Sequence, residues 1–163
     1  MFAQKIKCVE LVYRRTSDTT GLFYEKGQSN PFTGYCLDYY FPDKDSLIDK
    51  ETHYVNGRMV GPYKAYSMEQ NIIEQYNYDE NSHKSGEYKK FYSNGVLEVD
   101  GFYTDDLKTD AWIFYDNNGR VTTAGHYIMG NKFGVWGVFN KDRKRIKDII
   151  YNEKGEIENI IEY

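Results

Sequence analysis

The stretch WIFYDNNGRVTTAGHY, residues 112–127, contains an aromatic run, a turn signal and a second run that ends on an aromatic residue. Its Asn118-Gly119 pair predicts a β-hairpin, because both central positions of a tight two-residue turn need positive φ. Tyr127 follows Tyr115 by twelve residues. This spacing raises the question of whether the hairpin stands alone or is one unit of a repeat.

The twelve-residue spacing continues through the second half of the sequence. Every twelfth residue from position 91 onward is Tyr or Phe: Phe91, Tyr103, Tyr115, Tyr127, Phe139, Tyr151 and Tyr163. Upstream, Tyr54, Tyr66 and Tyr78 keep the same step. One strand of about eight residues and one tight turn fill such a step. Connections this short permit only antiparallel pairing of successive strands.

Two steps make a hairpin of about 24 residues, and a glycine or a turn-forming residue marks each hairpin. These markers are Gly34, Gly61, Gly86, Asp110 and Gly134. The sequence therefore predicts an all-β fold: an elongated antiparallel meander of about five hairpin repeats that form a twisted open sheet. A single domain spans 1–163, with a less regular segment at 1–20. Asp106 and Asp110 stand where the repeat has glycine, and we expect both in left-handed backbone, which Asp tolerates.

The charge distribution excludes one class of partner and favours another. Residues 31–130 hold nine Lys and Arg against sixteen Asp and Glu, a net charge of −7. Such a surface argues against nucleic-acid binding and suits a basic partner. No run of about 20 apolar residues predicts a membrane span. We expect a cytoplasmic protein, or one of the cell envelope if a leader peptide is missing from the sequence.

No motif for catalysis or for cofactor binding is present. His53, His83 and His126 fall in or beside predicted strands without a second ligand at metal spacing, and two of them, His53 and His126, directly precede a repeat tyrosine. Asp43 and Asp45 lack the twelve-residue ligand loop of a calcium site. Phosphate-loop and nucleophile-elbow motifs are also missing. The sequence therefore predicts no catalytic residue, no metal site, no cofactor and no enzyme activity.

The two cysteines, Cys8 and Cys36, lie 28 residues apart. A disulfide bond would suit an exported protein, whereas free thiols suit a cytoplasmic one. Neither cysteine belongs to a Cys-x-x-Cys pair. We expect free thiols.

Two units of the chain share the pattern YxxGxxxGx[YW]xx[YF]: YVNGRMVGPYKAY, residues 54–66, and YIMGNKFGVWGVF, residues 127–139. This pattern resembles the MORN repeat in its bacterial variant form. The stretch GLFYEKGQSNPFTGY, residues 21–35, together with the repeats that follow it, is similar to the YwqK-like family of antitoxin proteins. The resemblance implies a sheet of hairpins that binds other molecules, and an immunity component that neutralises a partner toxin.

Aromatic rings and carboxylates supply the candidate binding residues. We expect one row of exposed rings with a charged rim: Tyr63, Tyr88, Trp112 and Trp136, with Asp105, Asp106 and Asp110. The favoured function is a non-enzymatic immunity or antitoxin protein that neutralises a basic protein toxin through a sheet face. The alternative is a MORN scaffold of the membrane or cell envelope that binds lipid or glycan, although the net negative charge disfavours anionic lipid. The edge strands of such a sheet can pair with a second copy of the chain, which would give a homodimer.

Overall fold

The computed structural model describes residues 4–15, 21–41 and 46–163. Strands make up 66% of the structure, and the described residues contain no α-helix, only a 3₁₀ turn at Cys8–Glu10. The prediction of an all-β fold is thus confirmed. The chain divides into two compact units, Met1–His83 and Lys84–Tyr163.

The first unit contains a mixed sheet and a small two-stranded ribbon. Its strands are β1 (Lys5–Lys7), β2 (Leu11–Arg15), β3 (Gly21–Glu25), β4 (Gly34–Tyr39), β5 (Ile48–Val55), β6 (Arg58–Tyr66) and β7 (Ile72–Tyr78). β2 and β3 form the ribbon, and the main sheet has the order β1-β4-β5-β6-β7. β1 runs parallel to β4, whereas the later pairs are antiparallel. The prediction of a purely antiparallel sheet is wrong at β1, because the intervening ribbon makes the connection long enough for parallel pairing.

A disulfide bond between Cys8 and Cys36 lies in the core of the first unit, with Cα atoms 4.9 Å apart. The expectation of free thiols is therefore wrong. The parallel pairing sets Ile6 opposite Cys36, and the 3₁₀ turn that follows β1 brings Cys8 to the same place. Buried Phe32 and Tyr54 pack in the same cluster. Such a bond stabilises a fold by about 2–4 kcal/mol, mainly by restricting the unfolded chain.

The second unit is an uninterrupted antiparallel meander, as the sequence predicted. Its strands are β8 (Lys84–Phe91), β9 (Leu97–Thr104), β10 (Leu107–Tyr115), β11 (Val121–Ile128), β12 (Asn131–Phe139), β13 (Arg145–Tyr151) and β14 (Ile157–Glu162). Each strand pairs with the next one in the chain. Trp112 lies opposite Gly125, and Ile113 opposite Ala124. Since neighbouring residues of a strand point to opposite faces, these two pairs mark the two faces of the sheet.

The turn at Asp116–Arg120 differs from the predicted two-residue form. The N–H of Gly119 donates to the carbonyl of Asp116 at 2.9 Å, and only Gly119, not Asn118, has positive φ. This geometry is a three-residue loop in which a left-handed residue follows a type I turn. The Asp116 carboxylate favours it by accepting hydrogen bonds from the backbone N–H groups of Asn118 and Arg120, both at 2.9 Å. The same side-chain bonding recurs at Asp79, Asn140 and Asn152.

Two-residue turns with two positive φ angles occur elsewhere in the chain: Asn56-Gly57, Asp105-Asp106 and Met129-Gly130. Asp106 has a φ of 65° and Asp110 a φ of 59°, so the prediction of left-handed backbone at these two aspartates is confirmed. Asp110 occupies the same repeat position as Gly86 and Gly134, which also have positive φ. The repeat therefore keeps its backbone geometry where it loses its glycine.

Replacing Asp110 with Gly should raise the free energy of unfolding by about 1 kcal/mol, because glycine adopts left-handed backbone without the crowding of a Cβ atom. Asp106→Gly is the matched control. The carboxylate of Asp106 accepts a hydrogen bond from the backbone N–H of Lys84 at 2.8 Å, so its loss should offset the gain. Urea denaturation measures both variants, and a D110G protein no more stable than the wild type would contradict the backbone argument.

Candidate functional site

The second unit brings three of the four predicted rings into one row. Tyr88 stacks on Trp112 with ring centroids 5.4 Å apart. Tyr127 stands between the two indoles, 5.6 Å from Trp112 and 5.1 Å from Trp136. We call these rings, with Tyr103 and Tyr151 that pack edge-on against them, the aromatic row.

Each indole of the aromatic row lies flat against a glycine of the preceding strand. A Cβ atom added to Gly101 would collide with the ring of Trp112, and one added to Gly125 with the ring of Trp136. The indole N–H groups are also satisfied, since Trp112 donates to the carbonyl of Phe102 at 3.1 Å and Trp136 to that of His126 at 3.1 Å. Glycine is thus required at these strand positions to make room for the rings.

The three predicted rings of the aromatic row are buried, which corrects the expectation of an exposed binding stripe. Trp112 and Trp136 are each 1% exposed, and Tyr88 is 8% exposed. A single layer of strands without covering helices has to bury its apolar surface among neighbouring side chains on the same face. Because the glycines let the indoles lie flat, adjacent rings close over them. These three residues therefore support the sheet from within and are not available to touch a partner.

Lysine side chains cover the aromatic row. The ammonium of Lys108 lies 4.3 Å from the ring centroid of Trp112, and that of Lys132 lies 4.4 Å from the centroid of Trp136. Burial, and to a smaller extent the charge of Lys132, lower the pKa of Lys108. A cation held over an indole face is attracted by the ring's quadrupole. The lysines therefore help to cover this face, with their ammonium groups over the indole rings.

Replacing Gly125 with Ala should lower the free energy of unfolding by about 1–3 kcal/mol, because the added methyl group displaces the indole of Trp136. Gly137→Ala is the graded control. Its Cβ atom would lie 3.2 Å from side-chain atoms of Arg145 and Phe139, a milder overlap than that of a Cβ atom on Gly125 with the ring of Trp136. Denaturation followed by tryptophan fluorescence compares the two, and an equal loss in both variants would contradict the packing of Trp136 on Gly125.

Tyr63, the fourth predicted ring, belongs to the first unit and is half-buried. It stacks on Tyr76 with ring centroids 4.5 Å apart and meets Tyr78 edge-on at 6.3 Å. Burial, followed by the charge of Glu74, raises the pKa of Tyr63 to about 12. Burial raises the pKa of Tyr54 to about 12 as well. These tyrosines therefore stay neutral in the fold at pH values where an unfolded chain ionises them.

The raised pKa values predict a loss of stability at alkaline pH. Between pH 10 and about 12 the unfolded chain releases tyrosine protons that the folded chain retains, so stability is complete below pH 10 and falls above it. Tyr54→Phe removes one such group and should move the alkaline unfolding midpoint upward. Tyr13→Phe, at a ring that is 58% exposed, serves as the control. Circular dichroism recorded with tyrosinate absorbance measures the midpoint, and no shift in Y54F would refute the assignment.

The three predicted carboxylates are all exposed, and two of them form a turn beside exposed apolar side chains. Asp105 and Asp106 precede Leu107, which is 42% exposed. The next turn on the same side holds Ile128 at 52% and Met129 at 72%. Leu107 Cδ2 would lie 3.5 Å from a Cβ atom on Gly130, so the two turns are in contact. We call this surface the turn edge: Asp105, Asp106, Leu107, Ile128 and Met129.

The apolar members of the turn edge were missed by sequence reasoning. Ile128 and Met129 belong to the repeat unit at 127–139, and Leu107 directly follows Asp105 and Asp106. A signal was available, because two large apolar residues beside Gly130 break the rule that turns are polar. Asp110 lies within β10, beyond the 105–106 turn, and is also exposed. Asp43 and Asp45 lie outside the described residues.

The comparisons with known proteins assign no family to the chain. Its sequence matches no protein-family model, and a search of curated proteins returns no significant match. In the described part of the chain, no helix has the length and apolar character needed to cross a membrane. The function is therefore inferred from the site itself.

Proposed function

We propose that the protein is a non-enzymatic immunity or antitoxin protein that binds a basic protein toxin through the turn edge. The observation that carries this proposal is the exposure of Leu107, Ile128 and Met129 beside the carboxylates of Asp105 and Asp106. Apolar side chains within a charged rim are typical of protein-binding surfaces. The resemblance of the repeats to antitoxin-type MORN proteins points to the same class.

The backbone of the turn edge is held in place, which favours binding. The N–H of Gly130 donates to the carbonyl of Lys108 at 2.9 Å, and the N–H of Asp106 to that of Lys84 at 3.1 Å. Both turns are therefore hydrogen-bonded to a neighbouring hairpin of the same unit. A surface that is ordered before binding loses less conformational entropy when the partner docks.

Charge supports the choice of a basic partner. Asp105 and Asp106 stand side by side at the exposed turn, within the acidic segment 31–130. Carboxylates at the rim of an interface attract an oppositely charged partner and reject a like-charged one. They act mainly on the association rate and on specificity, while the buried apolar side chains contribute most of the affinity.

The test is co-expression with the product of the neighbouring reading frame, the candidate toxin. The wild-type protein should restore growth and co-purify with that product. Leu107→Glu combined with Met129→Glu should weaken binding by about thirtyfold or more, as expected when central apolar contacts are lost. The interaction is measured by isothermal titration calorimetry on the purified pair.

Ile157→Glu is the matched control, because Ile157 is 55% exposed and belongs to the same unit but not to the turn edge. The affinity of the Ile157→Glu variant for the neighbouring product should equal that of the wild type. A protein that never binds the neighbouring product would refute the proposed function. Equal loss of binding in both variants would refute the turn edge as the binding surface.

A further inference from the structure

A groove of about 520 Å³ lies on the face of the second unit opposite the aromatic row. Ile113 of β10 and Ala124 of β11, which lie opposite each other in the sheet, line it. We call it the arginine groove, with an apolar floor and a basic rim: Ile113, Val121, Ala124 and Phe139, with Arg120 and Arg143. Its volume is in the range of small-molecule sites, about 300–1,000 Å³.

Arg143 occupies a left-handed backbone position that glycine holds in three turns of the same form. Its φ is 63°, and its N–H donates to the carbonyl of Asn140 at 3.0 Å. Gly95, Gly119 and Gly155 make the same hydrogen bond with positive φ, as do the non-glycine residues Gln70 and Ser82. A non-glycine residue is less stable in this conformation, and such residues often persist at functional sites. The guanidinium of Arg143 makes no ion pair with any described residue, so its charge is available to a ligand.

Arg120 supplies the second cation of the rim. One of its terminal nitrogens lies 4.0 Å from Asp116 Oδ2, at the limit of an ion pair. The other carboxylate oxygen of Asp116 already accepts hydrogen bonds from two backbone N–H groups of the turn. Among the residues that the structure describes, none of those lining the groove is acidic. The rim therefore carries an excess of positive charge next to an apolar floor.

We propose that the arginine groove binds a small amphipathic carboxylate, with its apolar body on Ile113, Ala124 and Phe139 and its carboxylate between Arg120 and Arg143. Guanidinium groups bind carboxylates through paired, charge-assisted hydrogen bonds. The apolar floor suits an aliphatic or aromatic body, and it has no polar side chains to bind the further charges of a highly charged anion. The site lies at the end of the strands opposite the turn edge and does not depend on the proposed toxin partner.

The test uses octanoate and 2-naphthoate as probes, with octan-1-ol as the uncharged counterpart. Two-dimensional amide NMR of the intact protein should show shifts for residues 113, 121, 124 and 139 with both acids. Arg120→Gln combined with Arg143→Gln should weaken octanoate binding by about tenfold or more, as expected for the loss of charge-assisted hydrogen bonds. Binding of octan-1-ol should be the same in that variant and in the wild type.

Lys141→Gln combined with Lys144→Gln is the matched control, because it removes two exposed positive charges of the same turn without touching the groove. Octanoate should bind this variant as it binds the wild type. Ala124→Phe places a large ring on the floor of the groove and should abolish the ligand-induced shifts. The rest of its amide spectrum should remain that of the folded protein. Absence of binding by either acid, shifts elsewhere on the protein, or equal weakening in both double variants would overturn the proposal.

Discussion

The contact between an indole ring and a strand glycine is the interaction on which the second unit depends. A meander of single strands has no second layer to cover its apolar face. Gly125 lets Trp136 lie flat on the sheet, where Tyr127 and Lys132 enclose it. Gly101 does the same for Trp112. The core of this unit is therefore built on one face of the sheet, from side chains that repeat along the strands.

This way of burying the rings decides which side chains remain exposed. Because Trp112 and Trp136 are 1% exposed, a partner cannot reach the residues that look most like anchors in the sequence. The exposed groups of apolar and charged side chains lie at the strand ends instead. The turn edge combines apolar and acidic side chains at one end, while the arginine groove combines apolar and basic ones at the other. A repeat protein can thus keep a uniform core and vary its turns.

The turns themselves show how the repeat tolerates sequence change. Asp116, Asn140 and Asn152 each accept backbone N–H groups of their own turn, so the loop geometry does not rest on glycine alone. Arg143 and Ser82 take the left-handed position that glycine holds in other turns of the same form. Side-chain hydrogen bonds of this kind stabilise one loop form over its alternatives. The repeat can therefore place a large side chain at a turn without losing the strand pairing.

The twelve-residue spacing by itself determined the all-β class, the antiparallel order of β8 to β14 and the left-handed backbone at Asp106 and Asp110, because these depend on local periodicity and φ preference. Only the tertiary structure decided the parallel pairing of β1 with β4 and the Cys8–Cys36 bond, since both join segments distant in sequence. It also decided that the tryptophans are buried. A strand pattern shows which residues share a face, but whether that face is covered depends on the neighbouring strands. Here the glycines that contact the indoles let the rings lie flat and become buried.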